Sequence, residues 1–173
     1  TNFDLTSHQE LSGKKLQYFD PETNESYVPF VVETSVGLDR MFLAMLSTAY
    51  TEETVPDADG KDSTRVVLKF HPALAPVKCA ILPLLKNNDD LTSMARKVFD
   101  DLKYSFLCQY DEKDAIGRRY RRQDAIGTPY CVTIDHQSLE DQTVTIRERD
   151  TLLQDRVHIS KIAGIVSEKI DLK

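Results

Sequence analysis

The sequence predicts an α/β fold, a mixed five-stranded sheet with flanking helices, preceded by a strand and helix that stand outside it. Three features point there. From Thr64 onward, short apolar runs alternate with stretches of helical period, as when crossover helices join strands of one sheet. The run Val77 to Leu85 is apolar almost throughout, the pattern of a strand covered on both faces. Thr143 to Arg149 and Arg156 to Ile159 flank a polar turn and pair naturally as a hairpin.

Residues 1 to 30 are polar and rich in turn formers. Asp20 to Glu25 reads as a hairpin turn between Tyr18-Phe19 and Tyr27-Val28. Pro29 to Thr34 is a β-branched run and is expected to be a strand. After Ser35-Val36-Gly37, the residues Leu38, Met41, Phe42, Met45, Leu46 and Ala49 recur at helical spacing, so an amphipathic helix follows and ends near Tyr50. Residues 51 to 63 are acidic, contain Pro56 and Gly60, lack periodicity, and read as a linker.

Beyond it, Val66 to Phe70 reads as a strand, and Val77 to Leu85 as the first strand of the main sheet. Asp89 or Asp90 can cap a helix that places Leu91, Ala95, Val98 and Leu102 on one face. Phe106 to Tyr110 is the next strand. Ala115 to Ile126 forms a helix stopped by Gly127 and Pro129, and Tyr130 to Ile134 is a third strand. After the hairpin, Ile162, Ile165, Val166 and Ile170 mark a closing helix. Right-handed crossovers are expected in this order.

Composition narrows the function classes. The 173 residues are 40% hydrophobic and 29% charged, which excludes disorder, collagen and coiled coil. The most apolar stretch, Cys79 to Leu85, contains Pro83 and is too short to span a bilayer, and no secretory signal is visible at Thr1-Asn2-Phe3-Asp4. Three cysteines, Cys79, Cys108 and Cys131, form no C-x-x-C pair and fit reduced buried thiols in a cytoplasmic protein. The scattered His8, His71, His136 and His158 support no metal site. The chain starts without methionine and is expected to be a fragment.

Chemistry concentrates in three places. Glu33-Thr34-Ser35-Val36-Gly37-Leu38-Asp39-Arg40 lies at a strand-to-helix junction, where Glu33 and Ser35 share a strand face and orphan helix amides favour an anion beside Arg40. A small zwitterion and a nucleotide could be received there; ion pairing among Glu33, Asp39 and Arg40 on a plain surface explains the same residues. Asp114 to Gly127, bracketed by two copies of Asp-Ala-Ile-Gly, carries Arg118, Arg119, Arg121 and Arg122 around Tyr120 on a chain of net charge -6. That overall charge repels nucleic acid, whereas a local cluster permits a focused contact. Arg118, Arg121 and Arg122 share a helix face and could grip phosphates or unstacked bases, with Gln123 and Asp124 offering groups to base edges; a solvated helix with internal salt bridges is the alternative. Arg147-Glu148-Arg149-Asp150 alternates charge along the predicted hairpin, which cross-strand pairing would explain equally well.

Together these residues resemble one family. Pro29 to Leu46, P-F-V-V-E-T-S-V-G-L-D-R-M-F-L-A-M-L, is similar to the third signature motif of class II aminoacyl-tRNA synthetases in its glycyl form. Leu68 to Lys78 (L-K-F-H-P-A-L-A-P-V-K), Gly117 to Tyr130 (G-R-R-Y-R-R-Q-D-A-I-G-T-P-Y) and Arg147 to Thr151 (R-E-R-D-T) resemble the anticodon-binding domain of the same enzymes, which carries the class IIa fold. The related threonyl, prolyl and histidyl enzymes share that fold but lack E-x-S-x-G-x-D-R before the motif arginine.

The resemblance implies a strand and helix left from the antiparallel catalytic sheet over 1–50, an acidic linker over 51–63, and an anticodon-binding domain over 64–173. It implies activation of glycine by ATP, then transfer to tRNA-Gly. Glu33, Thr34, Ser35, Val36 and Gly37 would line the glycine pocket, and Gly37, Leu38, Asp39 and Arg40 would meet ATP, Arg40 offsetting charge as pyrophosphate leaves. Arg118, Arg121, Arg122, Asp124, Arg147 and Arg149 would face the anticodon, Arg118 and Arg149 foremost. ATP is then a substrate, with Mg2+ expected in the complete enzyme and no cofactor held by this chain alone. A homodimer in the cytoplasm, away from membranes, is implied for the complete enzyme. The first two class II motifs have no counterpart here, so no catalytic residue is assigned and no aminoacylation is expected of this chain by itself. A non-catalytic, synthetase-like accessory protein that binds nucleic acid, as in mitochondrial DNA polymerase, is the alternative; an interaction module is a third, which leaves residues 1–50 unexplained.

Overall fold

The computed structural model describes residues 1–56, 60 and 62–171. The chain divides into two compact units, Thr1–Met41 and Phe42–Lys173.

In the first unit, helix α1 (Phe3–Ser12) buries no residue and stops at Gly13, whose φ of 66° forms the left-handed cap that donates to the Gln9 carbonyl. Its apolar residues do not recur at helical spacing, so no periodic pattern announces it. Strands β1 (Tyr18–Asp20) and β2 (Glu25–Tyr27) pair antiparallel in the hairpin expected from the turn formers, with Asn24 in the left-handed region. The Tyr18 and Tyr27 rings, opposite each other in the register, meet edge to face at 5.9 Å.

The strand expected at Pro29 to Thr34 is not formed. Pro29 lacks an N–H, and a strand needs a ladder partner; the Val31 N–H donates to the Thr1 carbonyl at 2.9 Å, but this stretch joins no sheet. Helix α2 (Leu38–Ala49) starts where the sequence places it, with the Met41 N–H donating to the Gly37 carbonyl at 3.0 Å.

In the second unit, Met45, Leu46 and Ala49 at the end of α2 pack with Phe70 and Ala75. Strand β3 (Tyr50–Pro56) follows at once and pairs antiparallel with β4 (Asp62–Leu68). The acidic linker expected over 51–63 is therefore corrected: its described residues belong to a hairpin, and 57–59 and 61 lie outside the described residues. The acidic side chains that concealed the strand have cross-strand work, because Glu53 sits opposite Arg65 in the register and binds it.

The main sheet has the order β6-β5-β7-β8-β9. Strands β5 (Cys79–Pro83), β6 (Cys108–Tyr110) and β7 (Tyr130–Ile134) run parallel, and β8 (Thr143–Glu148) and β9 (Gln154–His158) add antiparallel, which is the predicted mixed five-stranded sheet. Helix α3 (Asp89–Leu102) buries Leu91, Ala95, Val98 and Leu102, the four residues of its predicted face, against Cys79, Ile81 and Val144. Its cap is Asn88, one residue ahead of the expected aspartates, whose side chain accepts from the Asp90 and Leu91 N–H groups. Helix α4 (Ile116–Ile126) lies on the other face, where Ile116 and Tyr120 cover Ala80, Leu82 and Cys131. The short helix α5 (His136–Asp141) went unread; a reciprocal capping box between Asp135 and Ser138 holds its start. Helix α6 (Ile162–Ile170) closes the larger core with Ile162 and Val166.

Candidate nucleic-acid interface

Helix α4 and β8 bring the arginine segments of the sequence together, and β4 supplies a third contribution. Strand alternation turns Arg147 of β8 toward α4, where the wholly buried Asp124 accepts both its terminal nitrogens, each at 2.9 Å. Asp124 Oδ2 also accepts from Arg65 Nη1 of β4 at 2.9 Å. Arg65 in turn gives Nε and Nη2 to Glu53 Oε2, at 2.9 and 2.6 Å, and Lys69 also pairs with Glu53. Hydrogen bonding from Lys69 is the first cause that holds the Glu53 carboxyl below its ordinary value, with Arg65 adding to it. This chain of alternating charges satisfies groups that would be costly to bury singly.

The Arg147 guanidinium lies over the Tyr120 ring at 4.7 Å, and the Tyr120 hydroxyl shares a 2.6 Å hydrogen bond with Thr133. Burial raises the Tyr120 pKa, so the phenol stays neutral. Above this layer opens a groove of about 770 Å3, lined among others by Ser63, Arg65, Arg118, Arg121, Arg147 and Gln154. The guanidiniums outnumber the Asp124 carboxylate there, on a chain whose net charge is -6. Such a concave positive site favours a polyanion.

The structure separates the predicted site residues. Arg118 is exposed at the groove and Arg121 lines it, donating from Nη2 to Ser63 Oγ at 3.1 Å. Arg122 turns away instead: it binds Asp111 Oδ2 at 3.0 and 2.8 Å, Asp114 Oδ2 at 2.9 Å and the Lys113 carbonyl at 2.8 Å. Its hydrogen bond is the leading cause that lowers the Asp114 pKa. Arg119 is buried against the carbonyls of Pro83, Lys113 and Asp114.

Arg149, a foremost candidate from sequence, is corrected. Only 1% exposed, it spends its donors on the Gly127 carbonyl at 2.8 Å, the Phe70 carbonyl at 2.7 Å and Asp150. Asp124 likewise meets arginines in place of a base edge. Residue type is legible in sequence, but the partner that consumes it is not. Ser63 was missed because it lies where a linker was expected, and Arg65 because the strand was expected to begin only at Val66; the inward alternation of Arg65 and Val67 was the available signal.

In the first unit, Glu33, Thr34, Ser35, Val36, Gly37, Leu38, Asp39 and Arg40 are all exposed, and the Arg40 side chain passes beside Gly37. Among the described residues no group of three or more His, Cys, Asp or Glu could hold a metal ion. No helix among them is long and apolar enough to cross a membrane.

Residues 78–169 match the family described as Anticodon binding domain. Over 170 residues, 98% of this chain, the sequence is 51% identical to the glycine–tRNA ligase of Chlorobaculum tepidum. Over 171 residues, 99% of this chain, it is 53% identical to that of Ruminiclostridium cellulolyticum. The chain spans 35% and 36% of the lengths of those relatives. Among solved structures, the RNA binding domain of threonyl-tRNA synthetase from Cryptosporidium parvum Iowa II aligns with TM-score 0.53 at 21% identity, over 58% of this chain and 25% of that one. Prolyl-tRNA synthetase from Cryptosporidium parvum, complexed with L-proline and AMP, gives TM-score 0.53 at 19% identity, over 61% of this chain and 23% of that one. At these identities both likenesses bear on the fold alone.

Proposed function

The chain belongs to the anticodon-binding-domain family, and from that premise we propose that its second unit reads the anticodon loop of tRNA-Gly within a glycine–tRNA ligase. The arginine-lined groove between α4, β4 and β8 is the observation that carries this reading. Glycine codons begin with two guanines, so the anticodon ends in two cytosines, each with an amino donor and two acceptors on its pairing edge. Guanidinium groups suit the acceptors, and the Gln154 side-chain carbonyl at the groove suits the amino group. Each good bidentate contact contributes about 1–3 kcal/mol of discrimination, by analogy with groove readout.

The roles of the arginines and Asp124 then divide. Arg118 faces the bases; Arg147, buried with both terminal nitrogens on Asp124, acts together with Asp124, Arg122 and Arg149 by holding the surface in place. Residues 29–40 contribute to the glycine and ATP pocket of the complete enzyme, with Glu33 and Ser35 near the ammonium group and Arg40 against the triphosphate. A pocket for the smallest amino acid works by excluding larger ones, since a single methylene gives little discrimination. ATP and glycine are the co-substrates. Mg2+ would arrive with ATP, and no step is assigned to it. The complete enzyme is a homodimer of the cytoplasm in this reading. The accessory-protein alternative is not favoured, because the relatives that match nearly all of this chain are glycine–tRNA ligases.

The test is binding of this chain, by fluorescence anisotropy at two salt concentrations, to an RNA hairpin with a glycine anticodon loop and to one with both cytosines changed. Preference for the cytosine loop is expected. Equal, salt-sensitive binding to both would reduce the role to general nucleic-acid contact.

A further inference from the structure

The groove has a wall that lies outside the family match. Residues 78–169 supply α4, β8 and β9, whereas Ser63 and Arg65 come from β4. That wall is fixed in place. Arg65 is tied to Asp124 of α4 at one point, and at another Gly127, just past α4, fits so closely that an added Cβ would lie 2.6 Å from the Phe70 ring and 2.9 Å from the Leu68 carbonyl. The part of β4 around Arg65 and Leu68 is therefore a fixed side of the groove.

Arg121 faces this wall from α4. Its Nη2 donates to Ser63 Oγ at 3.1 Å, while its Nη1 is buried and has no partner among the described residues. Two carboxylates of this layer are spent: Asp124 holds Arg147 and Arg65, and Glu53 holds Arg65 and Lys69. A guanidinium nitrogen left without an acceptor among surplus positive charge asks for an anionic oxygen. Ser63 Oγ accepts from Arg121 and still has its own proton to donate to the same anion.

We propose that the β3–β4 hairpin is an RNA-binding wall and that Arg121 and Ser63 together seat one backbone phosphate of the strand lying between the hairpin and α4. The contact fixes the position of the strand and carries no base information. It rests on the reading of the groove as the anticodon site, and adds to the domain a contact from residues outside the family match.

The experiment compares this chain with Arg121→Ala and Ser63→Asp, using the same two RNA hairpins over a salt series, with thermal melts of each protein. Arg121→Ala is expected to weaken both loops by a common factor near tenfold and to reduce the slope of log affinity against log salt by about 0.7, one single-strand phosphate. Ser63→Asp places a carboxylate against Arg121, so the same loss is expected with the melting temperature kept or raised. An unchanged slope in Arg121→Ala, with the cytosine preference intact, overturns the phosphate seat and leaves anticodon reading standing. A loss confined to the cytosine loop overturns it as well, by making Arg121 a base reader. If the unaltered chain shows no cytosine preference but the slope still falls, anticodon reading fails and the phosphate seat survives; no binding to either RNA overturns both. Inorganic phosphate at matched ionic strength is expected not to compete, and competition lost in Arg121→Ala would assign a free-anion site in place of an RNA contact.

Discussion

Arg149 Nη2 donates to the Phe70 carbonyl at 2.7 Å across 79 positions of sequence. The same guanidinium donates to the Gly127 carbonyl at 2.8 Å, so one buried side chain joins the segment after β4, the end of α4 and the segment just after β8. These are the elements that form the groove. One of the two arginines that the resemblance placed foremost is thus the pin that holds the groove's supports together.

Arg149→Ala leaves two carbonyls without their donor in a buried place, at about 1–3 kcal/mol each if water does not replace it. A stability loss of about 2–5 kcal/mol is expected in urea unfolding. Arg149→Lys should recover only part of it, because an ammonium lacks the planar fork that reaches both carbonyls and Asp150. A loss below about 1 kcal/mol in the alanine variant would show that the pin is dispensable.

Asp124→Asn keeps the size of the side chain and removes the charge that Arg65 and Arg147 share. Leaving the buried Arg147 guanidinium uncompensated, while Arg65 keeps Glu53, is expected to cost about 3–5 kcal/mol. RNA affinity should fall as well at temperatures where the variant is folded, because Arg147 loses its orientation over Tyr120. Full stability in a chemical melt would show that the buried charge chain relaxes onto water.

Acid should destabilise the second unit through a small set of carboxylates. Glu53 is held low first by Lys69, Asp114 first by Arg122, and Asp135 first by Arg156, while Thr143 and Gln137 bring Asp141 down to about 2. Each folded-state value lies below its unfolded value of about 4, so each contribution is complete above that value and is lost as pH falls through the folded one. Unfolding free energy is expected to be level from about pH 7 to 5 and to decline from about pH 4 downward as these groups take up protons. A decline beginning near neutrality would point to other groups.

The thiols should be inert in the folded protein. Burial pushes Cys131 up to about 12 and Cys108 up to about 11, and burial together with the neighbouring Cys108 and Cys131 raises Cys79. Little thiolate exists at pH 8, so a thiol reagent is expected to label the native chain slowly and the urea-unfolded chain at once. Cys108, only half-buried, should react first. Fast labelling of Cys79 or Cys131 without denaturant would show that the sheet opens.

Where hydrophobic pattern decided the structure, the sequence was readable: Leu91, Ala95, Val98 and Leu102 all face the core, and Tyr130–Ile134 is a strand as expected. Where partners decided it, the pattern was silent. Glu52 and Glu53 look like linker residues until Arg65 and Lys69 arrive from across the hairpin to meet Glu53. Pro29 to Thr34 has strand composition but no ladder to join. In the groove, the clustering of arginines over 118–122 was visible, yet only contact geometry separates Arg118 and Arg121, which line it, from Arg119 and Arg122, which brace the preceding loop.

The rigid fit of Gly127 beneath Leu68 and Phe70 bears on how this domain should be divided. Homology recognises a module that begins at residue 78, but a chain trimmed there would strip Arg149 of the Phe70 carbonyl and Asp124 of Arg65. The family module over 78–169 is therefore smaller than the unit these contacts tie together, and a boundary drawn at residue 78 cuts through the supports of the groove.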